Sequence, residues 1–175
     1  MFQRLLGRER RANEAIVEAL YATIVAGARQ PRFYSAWGVP DTPLGRFEML
    51  SLHVFLFLHR LRGETGVLTH IAQEVTDVFF LEVDHSLREL GIGDAGVPKR
   101  MKKLARMFYG RAAAYGEALD ADDVDALAAA LRRNVRPDSG EWPEAGELAA
   151  YVVSSHARLA AQSPAGIAAG NLSFG

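Results

Sequence analysis

The chain has 175 residues, enough for one domain with a sizeable core. Hydrophobic residues make up 49% and charged residues 23%, which excludes a disordered chain, and a formal net charge of −1 excludes a global pull towards nucleic acid or anionic lipid. The absence of cysteine excludes disulfides, thiolate metal sites, iron–sulfur clusters and a cysteine nucleophile.

The opening stretch sets Phe2, Leu5 and Leu6 among Arg4, Arg8, Arg10 and Arg11. It lacks the apolar centre of a secretory signal and reads as a basic leader over residues 1–12. A helix is expected from Asn13, a good N-cap, with Ile16, Leu20, Ile24 and Gly27 on one face and Pro31 as its stop. Residues 33–41, rich in aromatics and turn formers, read as a loop. Thr42-Pro43 opens a second helix, an N-cap followed by proline at the first helical position, running to about Arg62. It is apolar nearly all round between Met49 and Leu58, as befits a helix in the middle of a domain. That run is far short of the ~20 residues a membrane span needs. The expectation is a cytoplasmic protein whose basic surfaces could hold it peripherally on the inner face of the cytoplasmic membrane.

A third helix spans about Gly66 to Leu90, with Leu68, Ile71, Val75, Phe79 and Val83 inward and Gly91 past its C-terminus. Pro98 opens a fourth, with Met101, Leu104, Phe108, Ala112, Tyr115 and Leu119 on one face. A fifth, from about Asp122 to Val135, has acids first and Arg132 and Arg133 last, both favoured by the helix dipole. The sixth runs from about Glu144 to Gln162, and Ser163-Pro164 ends it. The sum is an all-α, irregular bundle of about six helices around a buried central helix, one domain over residues 13–163 with a flexible tail over 164–175.

Enzyme signatures are lacking. Glu82-Val-Asp-His85 holds one Glu-x-x-His, but a di-iron bundle needs a second. Glu82 projects near the inward face of its helix and would need a partner, Arg46 or Arg111. His53 and His59 are six apart and face different ways, so they are no metal pair, and His53 reads as a core histidine. No nucleotide loop or nucleophile elbow occurs. The expectation is a non-enzyme with no catalytic residue, cofactor or metal.

Lys99, Arg100, Lys102, Lys103 and Arg106 crowd the start of the fourth helix, the end of the dipole where acids are expected. Such a face suits an anionic partner: a membrane surface, a ribosome or an acidic protein.

Several stretches in order resemble the ubiquinol–cytochrome c chaperone family. They are Ala28-Arg-Gln-Pro31-Arg-Phe-Tyr34, Gly38-Val-Pro40-Asp41-Thr42, Gly45-Arg46-Phe47-Glu-Met49 and Leu52-His53-Val-Phe-Leu56. Asp84-His-Ser-Leu-Arg88-Glu-Leu-Gly91-Ile-Gly-Asp94, Val97-Pro-Lys-Arg-Met-Lys-Lys103 and Phe108-Tyr109-Gly110-Arg111 with Tyr115 complete the set. The resemblance, to a bacterial-type member, implies a non-catalytic assembly factor that binds cytochrome b during biogenesis of ubiquinol–cytochrome c reductase, complex III. It also implies a ribosome contact and a small helper protein as partners, and no DNA. An apolar client calls for an exposed apolar surface. Phe80 and Leu81 are the first candidates, Tyr34 and Trp37 the next, with Asp77, Asp84 and Arg88 as a charged rim. The alternative is a helical nucleic-acid- or ribosome-binding protein that uses the basic face of the fourth helix.

Overall fold

The computed structural model describes the backbone from residue 2 to residue 175, and side chains from residue 12 onward. The side chains of the basic leader therefore lie outside the described residues. The chain is all-helical: α1 Phe2–Ala28, α2 Pro31–Ser35, α3 Pro43–Arg60, α4 Val67–Glu89, α5 Val97–Asp120, α6 Val124–Val135, α7 Ala145–Ala160 and α8 Pro164–Ala168.

Local chemistry sets most boundaries. The Thr42 hydroxyl accepts from the Gly45 amide at 3.1 Å and caps α3, whose first residue is Pro43. Gly45 is obligatory there, because a Cβ would sit 1.9 Å from the Pro40 carbonyl oxygen. Gly91 has φ +79 and turns the chain out of α4. Asp123 accepts from the Ala126 amide at 2.8 Å and caps α6.

α3 is the axis of the bundle, touched by α1, α4, α5, α6 and α7. Its residues 51–57 are all buried, as its all-round apolarity demands. α4 buries Leu68, Ile71, Val75, Phe79, Val83 and Leu87, the 3–4 spacing of a one-faced helix. The core is continuous from Leu20 and Ile24 of α1 through α3 to Leu148 and Val152 of α7.

The structure corrects three sequence expectations. Asn13 caps nothing, because α1 already runs through it from Phe2. Pro31 stops α1 but also opens α2, so the expected loop starts with a helical turn that buries Phe33. The expected loose tail is ordered: the Ser163 hydroxyl caps α8, and Ile167 and Phe174 are buried. Gln162 clamps Ser173 through both amide atoms, at 2.7 and 3.0 Å, and the Ser155 hydroxyl donates to the Phe174 carbonyl.

Candidate client-binding surface

Two buried polar contacts fix the geometry around α3. Glu48 of α3 accepts two hydrogen bonds from Arg111 of α5, at 2.5 and 2.6 Å, tying the two helices at mid-length. Burial raises the Glu48 carboxyl above the usual range, against the pull of Arg111. The Arg111 partner is thus Glu48, and Glu82 stands exposed. Arg46, the other expected partner of Glu82, instead pairs with Asp41 at 2.7 Å and pins the loop before α3. His53 is the satisfied core histidine: Nδ1–H donates to the Met49 carbonyl at 2.7 Å, and Nε2 accepts from the Tyr151 hydroxyl at 2.7 Å. Burial pushes its pKa down to about 4, so the ring is neutral. His59 lies edge-on to His156, with Nε2 3.3 Å from Asp120. No group of three or more metal-ligating side chains is gathered among the described residues.

α4 and α5 together present an apolar surface. Phe79 and Phe108 are buried between them, and Phe47 of α3 stacks on Phe79 with ring centroids 6.1 Å apart. On this floor lies Phe80, half-buried, 5.9 Å from Phe108 and 6.2 Å from Tyr109. Leu81 is 55% exposed and Tyr109 57% exposed. The two first candidates therefore differ in kind: Phe80 is the base of the patch and Leu81 stands out from it. Tyr109 lies beside Phe80 and is a further exposed side chain there.

The three side chains expected as a charged rim each have a partner. Arg88 holds Asp84 at 2.6 Å and also pairs with Asp94 of the following loop, while Asp77 accepts from Gln73 at 2.9 Å. Beyond Tyr109, towards the start of α5, Lys99, Arg100, Lys102, Lys103 and Arg106 are all exposed, and none forms an ion pair among the described residues. No carboxylate in the first turn of α5 offsets them. Gly110 is open to solvent and Tyr115 is buried in the core.

Tyr34 and Trp37 pack elsewhere. The Tyr34 hydroxyl donates to the Ala28 carbonyl at 3.1 Å. Trp37, half-buried, lies against Phe33 and Tyr151, and its carbonyl accepts from the Trp142 indole. Gly38, at φ +65, makes the turn between them and α3. Trp37 thus adjoins Tyr151 of α7.

No helix among the described residues is long and apolar enough to cross a membrane. The family model described as "Ubiquinol-cytochrome C chaperone" matches residues 35–174. The chain is 26% identical over 129 residues to "Ubiquinol-cytochrome-c reductase complex assembly factor 1" of Xenopus laevis, covering 74% of this chain and 64% of that protein. The mouse protein, "Ubiquinol-cytochrome c reductase complex assembly factor 1", is likewise 26% identical over 74% of this chain, which spans 43% of it. The chain thus spans less than two thirds of either relative. It is 62% identical in sequence to the solved "Cbp3 homolog from Brucella abortus", with a TM-score of 0.92 over 99% of this chain and 96% of that one.

Proposed function

The chain belongs to the ubiquinol–cytochrome c chaperone family, and on that premise we propose that it holds cytochrome b, without catalysing a step, during assembly of ubiquinol–cytochrome c reductase. The observation that carries this reading is half-buried Phe80 with exposed Tyr109 beside it, and exposed Leu81 next to Phe80 in the chain, on two helices packed against the core. A membrane-protein client offers apolar segments before insertion. Covering such side chains contributes ~1.5–3 kcal/mol for each large one fully buried. The Phe79–Phe108 floor keeps the patch rigid, so little ordering entropy opposes docking. Asp77 and the Asp84–Arg88 pair bound it with groups that exclude misplaced apolar segments.

The five unpaired cations of α5 support a second contact, with the membrane surface or a ribosome, beside the client. They also favour the other reading, a protein that binds RNA phosphate through α5. Salt separates the two, since phosphate binding by several cations weakens steeply as salt rises and apolar docking does not.

The test is co-purification of cytochrome b with a Leu81→Asp/Tyr109→Ser double variant. Both positions are exposed, so the fold survives, as circular dichroism would verify. Capture should fall at least tenfold. Full capture by the double variant would remove this surface from the account.

A further inference from the structure

A cleft of about 450 Å³ opens where α2, α7 and the C-terminal residues meet, on the Trp37 side of the molecule. Its size is within the range of small ligand sites. Two arginines line it, Arg32 of α2 and Arg158 of α7. The Arg32 guanidinium lies over three rings, 4.8 Å from the centroid of Tyr151, 5.3 Å from Trp37 and 5.6 Å from Phe33. Stacking fixes its plane. Neither arginine has a carboxylate within ion-pair distance among the described residues.

We propose that this cleft is a binding site for a carboxylate side chain of a polypeptide partner, gripped by Arg32 and Arg158 against the Trp37–Tyr151 wall. The proposal rests on the reading of the chain as a protein-binding factor and adds to it a second, polar point of attachment. A planar guanidinium fork suits a carboxylate, which it can meet with two parallel hydrogen bonds. Glu147 in the same wall disfavours a doubly charged phosphate more than a singly charged carboxylate. The Ser154 hydroxyl offers the neighbouring peptide backbone a neutral partner.

Trp37 makes the cleft readable by fluorescence. The full-length protein is titrated with two capped heptapeptides, Gly-Ser-Leu-Glu-Leu-Ser-Gly and the same sequence with Gln for Glu. The Glu peptide should change the Trp37 emission saturably, and the Gln peptide should bind at least ~10-fold more weakly, the usual worth of a charge-assisted hydrogen bond. Arg32→Gln and Arg158→Gln should each weaken the Glu peptide by a similar factor. Arg32→Lys should recover only part, because it keeps the charge and loses the fork. Both positions of substitution are at exposed side chains, so folding is preserved. Leu81→Asp should leave the titration unchanged. Absence of saturable binding, equal binding of the two peptides, indifference to Arg32→Gln, or stronger displacement by inorganic phosphate than by acetate at equal ionic strength would each overturn the proposal. If cytochrome b capture fails while the Glu peptide still binds, the functional reading falls and this site stands.

Discussion

Replacing Arg111 with methionine should destabilise the protein more at neutral than at acid pH. The Glu48 side chain is 2% exposed and both its oxygens are held by Arg111. Removing one partner of a buried ion pair costs roughly 3–5 kcal/mol, because the remaining charge has neither water nor counter-ion. For a chain of this size that is a fall in Tm of about 10 °C. Burial already raises the Glu48 carboxyl in the intact pair, and without Arg111 it rises further. An acid whose pKa is raised by folding binds a proton more readily in the folded state, so the variant's deficit shrinks as pH falls. Urea unfolding of Arg111→Met at pH 7.5 and pH 5 measures this. The deficit should be largest at pH 7.5, smaller at pH 5, and mostly relieved at both by adding Glu48→Met, which leaves no buried charge. A single variant as stable as the parent at pH 7.5, or a double variant no better than the single, would refute the reasoning.

His53 supplies a pH dependence of opposite sign. Its folded pKa is depressed from 6.5 to about 4, so the unfolded chain takes up a proton first as pH falls. Stability from this group is complete above about 6.5 and declines by about 3 kcal/mol on the way down to about 4, at ~1.4 kcal/mol per unit. His53→Gln should flatten the urea midpoint across that window, and identical slopes would contradict it. Phe174→Ala should cost ~3 kcal/mol by emptying the space beside His53 and Gly27. A loss within the ±0.5 kcal/mol of an ordinary surface change would mean that the tail carries no weight.

The helices α3 to α7 were legible because one-faced spacing marks them and several of their boundaries have a local cause. Thr42-Pro43, Gly91 and the Asp123 cap act within a few residues, and the one-faced spacing of α4 needs no knowledge of its neighbours. The misses are tertiary or compete with local signals. Asn13 has an N-cap preference, but a chain already helical from Phe2 overrides it. Residues 170–174 have no period, so the burial of Phe174 comes from His53 of α3 and Gly27 of α1, far away in sequence. The sequence points to Glu82 as a buried carboxylate, but it sits one position off the Phe79–Val83 stripe, where a small rotation brings it out to solvent. Glu48 was the better candidate, set between Phe47 and Met49 in the central helix. Arg111 on the Phe108–Tyr115 side of α5 was the matching signal. At the candidate surface, the sequence separated Phe80 and Leu81 from the inward face. It could not tell that α5 half-covers the first and bares the second, nor that Tyr109 would join them.

The claim that a client docks on the α4–α5 face is tested most directly by a photo-crosslinking amino acid at position 81 of the full chain, in cells translating cytochrome b. Irradiation should give an adduct with cytochrome b at position 81 and none at position 153, an exposed apolar position on α7. Adducts at position 153 but not at 81 would contradict the account.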